Sequence, residues 1–466
     1  MRPQRFFLTL FAFLFILAPA AASAISIPDE MKLAEKFMKM IEERNVILKD
    51  PVANHMINEV GGNIISTLPP QPFHYSFYIL NDNRFNAFAS PAANIFFNRG
   101  LITALSSTDE LAGIMGHEIA HAVSRHVSQS VDRSKLVSIG TMAGVLAGAL
   151  VGATGGGGEA VQALSIGSMA AGQSAMLAYT RENETEADQK ALLFLKKTCY
   201  SPKGLLSSLI KIRESDYQGI EGIPDYFKTH PGTGKRIAHV SSLLADYKPS
   251  PTHKACTPDY DFDMVKYRLI GLYEDLDKSI ARIGLKLEKN PENPAMNYGM
   301  GLLYLRKHRR EKAVEYLEKA LSQRLFDPMI LLELGRVHII DGKFSLAMDV
   351  LTDVQEDPVI GLQAKYYYSV AQLESGNLAG AEKNLERVIA ELPETFPRAY
   401  YYMAKIMAAK KLDGLSHYYL GIFYSEEKDG RNASRHLKKA LETLEDPKLK
   451  KEAEKRLEKT SESRKR

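Results

Sequence analysis

The stretch IMGHEIAHAVSRH, residues 114–126, sets three histidines and one glutamate among small and apolar residues. His117 and His121 are four apart, so on a helix both imidazoles leave one face a turn apart and can share a single metal ion. Glu118 sits about 100° round that helix, turned away from direct ligation but within reach of a water on the ion. Zinc hydrolysis needs this arrangement: the metal acidifies a water and a carboxylate removes its proton. Thr108, Asp109 and Glu110 open the predicted helix, the acidic pair lying where the helix dipole favours negative charge. Two ordinary surface histidines could produce the same pattern. Gly116, Ile119 and Ala120 argue instead for a buried helix, where unpaired imidazoles would be costly.

Two histidines leave a catalytic zinc short of a third protein ligand. His126 is nine residues beyond His117, and Ser124 stands where the metzincin pattern requires glycine, so that class is rejected. The stretch YTRENETEADQKAL, residues 179–192, offers a better partner: Glu184 and Asp188 are again four apart on a predicted helix. Glu184 can complete a His-His-Glu site, and Asp188 can accept a hydrogen bond from a ligand imidazole and fix its tautomer. A solvated acidic helix start would explain Glu182, Glu184 and Glu186 as charges, though not their pairing with the earlier motif.

Upstream, residues 28–66 carry helical apolar spacing broken at Pro51, and PPQPFHYSFYIL (69–80) then changes to strand character. FNAFASPAANIFFNRG (85–100) reads as a hairpin around a Pro-Ala-Ala-Asn turn, with Ile95–Asn98 as its second arm. Because an extended peptide can pair with an exposed strand edge, Ile95, Phe96, Phe97 and Asn98 are the expected substrate-binding strand. Downstream, charged residues are absent from 136–158 and from 160–180, with TGGGGE between them, which suggests an apolar helical hairpin over 136–172. One membrane crossing there would strand the two halves of the site on opposite sides of a bilayer, so a hairpin packed on the domain or touching lipid is expected.

The Pro-rich stretch DYKPSPTHKACTPDYDFD (246–263) marks a domain boundary near residue 255. Beyond it Gly301, Tyr304, Ala313, Leu317 and Ala320 are followed 34 residues later by Gly335, His338, Ala347, Leu351 and Val354. A further step of 34 reaches Ser369, Gln372, Ala381, Leu385 and Val388. After an extra helix near 399–410, Gly421, Tyr424, Ala433, Leu437 and Ala440 repeat the spacing, while Ala281 and Leu285 suggest a degenerate first repeat. This is the tetratricopeptide period: helix pairs that bury an apolar face only by stacking on their neighbours.

At the other end, Arg2 and Arg5 precede an uncharged apolar run, and small residues at Ala22 and Ala24 offer a cleavage point. Residues 1–24 therefore read as a signal peptide, the apolar core being short for a bilayer span of about 20 residues. Net charge is +4, falling to +2 without Arg2 and Arg5, and nothing in it calls for nucleic acid. The tail KLKKEAEKRLEKTSESRKR mixes both signs and reads as a solvated helix. The two cysteines, Cys199 and Cys256, would meet an oxidising compartment, where either a disulfide or two buried thiols fits the sequence.

HEIAH followed by ENETEAD, with NAFASP and NRGLI upstream and THPGTGKRI downstream, resembles the CAAX-prenyl-endopeptidase and HtpX-like zinc metallopeptidases over about residues 30–245. With an export signal and repeats added, the chain resembles the periplasmic branch of that family. The resemblance implies one Zn2+ per chain, held by His117, His121 and Glu184 rather than Glu186, with Glu118 and Asp188 catalytic. It also singles out His230 of THP, as an extra zinc ligand or a transition-state donor. By the same resemblance the partners are outer-membrane barrel proteins and their assembly machinery, misassembled barrels being the substrates. One departure is SPAAN, where relatives carry glycines after the proline.

The expected architecture is mostly α: an α+β zincin-type metallopeptidase domain with a small antiparallel sheet over 25–255, then a tetratricopeptide solenoid over 256–466. The expected function is that of a periplasmic zinc endopeptidase with repeats that recruit protein partners. The competing reading is a chaperone or scaffold with latent or occasional proteolysis.

Overall fold

The computed structural model describes residues 25–133, 180–217, 226, 229–249, 256–392 and 395–463. The expected signal peptide (1–24) and the expected apolar hairpin (136–172) lie outside the described residues. The chain forms two compact units, Met1–Leu269 and Ile270–Arg466.

In the first unit, α1 (Ile27–Glu43) starts at Ser26, whose hydroxyl accepts the Asp29 N–H. Helix α2 (Pro51–Ile65) has its proline at the first position, where no N–H is needed, and Asp50 as its cap. Three strands follow: β1 (Ser76–Leu80), β2 (Ala87–Ser90) and β3 (Asn94–Asn98), the last two joined by a 3-10 turn at Pro91–Ala93. Then come α3 (Arg99–Ala104), α4 (Thr108–Val123), α5 (His126–Arg133), α6 (Arg181–Leu195), α7 (Lys203–Tyr217) and α8 (Thr233–Leu244). Helix α9 (Phe262–Tyr273) contains the division between the units.

The sheet order is β1-β3-β2, with β3 antiparallel to β2 but parallel to β1. The sheet is therefore mixed, correcting the antiparallel expectation. The chain leaves β1 through residues 81–86, skips one strand position to lay down β2, and turns back so that β3 fills the gap. This order also overturns Ile95–Asn98 as an exposed substrate edge. Both sides of β3 are paired, and Ile95, Phe96, Phe97 and Asn98 are all buried. Phe96 stacks between Tyr78 and Phe88, with Phe37 edge-on, in the core that α1 closes. Beyond β1 the sheet is capped by an Ile47–Leu80 bridge, whereas β2 has no second strand partner among the described residues.

The hairpin turn is left-handed at Ala92 (φ 55°) and Ala93 (φ 59°), positions where glycine would be unstrained. The Ala92 N–H donates to Glu30 of α1 at 3.1 Å, and the same carboxylate pairs with Arg125 at 2.5 Å. Cys199 and Cys256 form a disulfide across a separation of 57 residues. Among the described residues no helix is long and apolar enough to cross a membrane.

The second unit is helical throughout its described residues: α10 (Leu276–Leu287), α11 (Pro294–Arg306), α12 (Arg310–Gln323), α13 (Pro328–Ile340), α14 (Phe344–Leu351), α15 (Gly361–Glu374), α16 (Leu378–Glu391), α17 (Pro397–Ala409), α18 (Asp413–Glu426), α19 (Gly430–Thr443) and α20 (Pro447–Ser463). The reason for the small residue in each repeat is visible. A Cβ on Gly301, Gly335 or Gly421 would fall 2.7, 2.4 or 2.6 Å from the side chain of Leu317, Leu351 or Leu437, each sixteen residues on and fully buried. In the third repeat Ser369 occupies that place, its hydroxyl turned back to the Lys365 carbonyl at 2.6 Å. The result is a tetratricopeptide-type helical solenoid. The expected first repeat is out of register by two residues. Ser279 and Ile283 are buried while Leu285 is 63% exposed, and these two lie 34 residues before Ala313 and Leu317.

Candidate metal centre

Helix α4 begins at Ser107, whose hydroxyl caps the Glu110 N–H at 3.2 Å. From Glu110 to His121 every residue is buried, so the motif lies in the domain interior. Helix α6 packs beside it and supplies Glu184 and Asp188 from one face, both fully buried. His230 arrives from the short stretch before α8, where Gly232 (φ 86°) turns the chain into the helix that carries Arg236.

One donor atom each from His117, His121, Glu184 and His230 lies within 4.8 Å of all the others, and the four side chains are buried. His117 Nε2 is 3.0 Å from His121 Nε2, 3.4 Å from His230 Nδ1 and 3.4 Å from a Glu184 oxygen. The other Glu184 oxygen is 3.3 Å from His121 Nε2 and 3.1 Å from His230 Nδ1. A tetrahedron with bonds of about 2.0–2.1 Å puts its ligand atoms roughly 3.3 Å apart. Buried nitrogens and a carboxylate converging at these separations fit a metal ion well.

The outer atoms of the group are also held. His117 Nδ1 is 2.9 Å from Asp188 Oδ1. Arg236 forms a two-pronged pair with Asp188, at 2.8 Å from Nε and 2.7 Å from Nη2, and reaches Glu184 at 2.7 Å through Nη1. His121 Nδ1 lies 2.9 Å from Nδ1 of His126, the histidine rejected as a metzincin-type ligand. Tyr226, which no sequence motif singles out, stacks on the His230 ring at 4.3 Å; its position four residues earlier is the helical spacing that brings two rings together.

Burial would raise the Glu184 carboxyl, but the charges of His230 and Arg236 and hydrogen bonds from His117 and His121 hold it well below the ordinary range. Asp188, which burial would likewise raise, is held down to about 2 by Arg236 and His117. Burial lowers His121 well below the usual imidazole value, so its ring is neutral and can offer a lone pair. At His117 burial and the Arg236 charge oppose protonation, yet hydrogen bonds to Asp188 and Glu184 outweigh them and push it up to about 9. Burial raises the Glu118 carboxyl from its ordinary value, opposed by His230, His117 and the backbone N–H of Ala89 on β2. The Glu118 carboxylate thus lies between the metal group, 3.6 Å from His230 Nε2, and the backbone of β2.

Residues 53–244 match the profile of Peptidase family M48. The beta-barrel assembly-enhancing protease of Yersinia pestis is 25% identical over 403 residues, covering 84% of this chain and 80% of that protein. The putative beta-barrel assembly-enhancing protease of Vibrio cholerae is 26% identical over 311 residues, covering 65% of this chain and 62% of that protein. Among solved structures, PilW, a type IV pilus biogenesis factor, aligns with 42% of this chain and 91% of its own at 21% identity, with a TM-score of 0.34. The chain carries a Peptidase family M48 domain over residues 53–244, a metallopeptidase domain, and is homologous to the beta-barrel assembly-enhancing proteases.

Proposed function

We propose that this chain is a periplasmic zinc endopeptidase that hydrolyses peptide bonds of misassembled outer-membrane proteins. The observation that carries this reading is the convergence of four buried donor atoms beside the carboxylate of Glu118. His117, His121 and Glu184 would hold one Zn2+, which when bound supplies a Lewis acid for the scissile carbonyl and the attacking water. Glu118 takes the proton of that water and passes it to the leaving amine; its raised pKa suits both transfers. Asp188 accepts the His117 Nδ1–H and Arg236 fixes Asp188, so the ring orientation is set from outside.

A second reading rests on the fourth donor. A zinc with four protein donors is closed, as structural sites are, whereas a catalytic zinc keeps one position open. If His230 fills that position, the resting chain is latent and its scaffold role dominates until His230 withdraws. The stacked repeats would recruit outer-membrane barrel proteins and their assembly machinery. Export by residues 1–24, cleavage after Ala24, and a hairpin over residues 136–172 that packs on the domain or touches lipid belong to the same proposal.

Metal analysis of the mature protein should find one zinc, lost in Glu184→Ala. Glu118→Gln should keep the zinc and abolish cleavage of an unfolded polypeptide; cleavage at the original rate would refute the peptidase reading. His230→Ala separates the two roles of that residue: basal cleavage rises if His230 closes the site and falls if it serves the transition state.

A further inference from the structure

We infer that His126 is the positioning residue for His121, holding that ring through an imidazole-to-imidazole hydrogen bond as Asp188 holds His117. The inference rests on the metal-centre reading above and concerns a residue outside the donor group.

The two helix histidines present the same problem. Each turns Nε2 to the common point, and those two atoms are 3.0 Å apart. A neutral imidazole that offers Nε2 as a lone pair carries its proton on Nδ1, and that proton needs an acceptor where the ring is buried. For His117 the acceptor is Asp188 Oδ1 at 2.9 Å. For His121 the group in place is His126 Nδ1, also at 2.9 Å. His126 must then accept at Nδ1 and carry its own proton on Nε2, which faces Glu186 Oε2 at 3.4 Å. Donation therefore runs in one direction, from His121 to His126 to Glu186. The end of the chain is anchored, since the other Glu186 oxygen receives Ser124 Oγ at 3.0 Å and Lys190 Nζ at 2.7 Å.

The backbone is arranged for this contact. Helix α4 stops at Ser124, and Arg125 takes the left-handed conformation (φ 53°) that lets α5 restart at His126. A left-handed arginine is disfavoured on its own. Here its guanidinium is held by Glu30 at 2.8 and 2.5 Å and by the Ile25 carbonyl at 2.6 Å. The reversal folds His126, 1% exposed, back over the outer side of His121. Nine residues from His117 is the wrong distance for ligation in a metzincin-type site. It is the right distance for a residue that bears on the second ligand from behind.

The test measures the zinc dissociation constant of the full mature chain by competition with a chromophoric chelator at neutral pH, for the unsubstituted protein, His126→Gln, His126→Asn and Glu186→Gln. The Asn side-chain oxygen falls near the place of the histidine Nδ1 and can accept the His121 proton; the Gln oxygen falls near Nε2 and cannot. His126→Gln should weaken zinc binding about 10- to 100-fold, while His126→Asn and Glu186→Gln, which keep an acceptor, should stay within about threefold. Melting curves of the metal-free proteins identify any variant that does not fold, and His126→Ala replaces His126→Gln in that event. Unchanged affinity in His126→Gln overturns the inference, and so does an Asn variant as weak as the Gln variant, which would mean that the ring matters only as packing. Absence of zinc from the unsubstituted protein would instead overturn the metal-centre reading itself.

Discussion

Gly113, one turn before His117, offers a test of how the fold aims the site. A Cβ added there would lie 2.4 Å from Leu205 N, 2.6 Å from Leu205 Cα and 2.7 Å from the Gly204 carbonyl carbon, all backbone atoms of α7. The contact is reciprocal, because a Cβ on Gly204 would lie 1.9 Å from the Asp109 carbonyl oxygen. Backbone cannot swing aside as a side chain does. To restore ordinary contact at about 3.5 Å, α4 and α7 must separate by roughly 1 Å, an overpacking expected to cost about 3 kcal/mol, the upper end for such insertions. A displacement of that size in the helix bearing His117 and Glu118 should also lower peptidase activity about 100-fold. Gly62→Ala is the internal control: nothing lies within 4 Å of its added Cβ, so helix propensity alone should stabilise it by about 0.5–1 kcal/mol. Chemical denaturation of both variants and a peptide-cleavage assay provide the comparison. A Gly113→Ala protein as stable as the unsubstituted chain would refute the close-approach argument.

Arg236→Gln leaves Glu184 and Asp188 buried without their cation and should destabilise the metal-free protein by about 3–5 kcal/mol in urea, with zinc recovering part of the loss. Because His117 is pushed up to about 9, the metal-free site holds an extra proton at pH 7. Zinc uptake there should release about one proton, read by calorimetry in buffers of different ionisation enthalpy, and the release should fade as pH rises through 9. Reducing the Cys199–Cys256 bond removes the constraint on a 57-residue loop and should lower stability by about 4 kcal/mol; no shift in the denaturation midpoint on adding reductant would count against that value.

The features legible in the sequence were those with a local period. The spacing of four in His117 and His121, and again in Glu184 and Asp188, needs only helix geometry to put each pair on one face. The spacing of 34 similarly exposes helix pairs whose glycine meets a leucine sixteen residues later. What escaped was set by non-local order. Nothing in IFFN says that β3 enters between two strands, so the residues assigned to an exposed edge belong to a strand paired on both sides. Spacing presents His126 only as a possible ligand, because its service to His121 depends on a left-handed Arg125 that spacing does not reveal. Tyr226 is placed by stacking on His230, a contact between residues whose own roles the sequence left open.

The hairpin turn has a practical meaning for anyone trimming this protein. Two successive alanines in left-handed backbone cost about 1 kcal/mol or more apiece, and the carboxylate of Glu30 is what fastens Ala92. Glu30 belongs to the first helix, which an engineer would be tempted to discard because the family match starts at residue 53. A fragment cut at that point would keep every metal-facing side chain, yet it would release the clasp on both the strand turn and the reversal at Arg125.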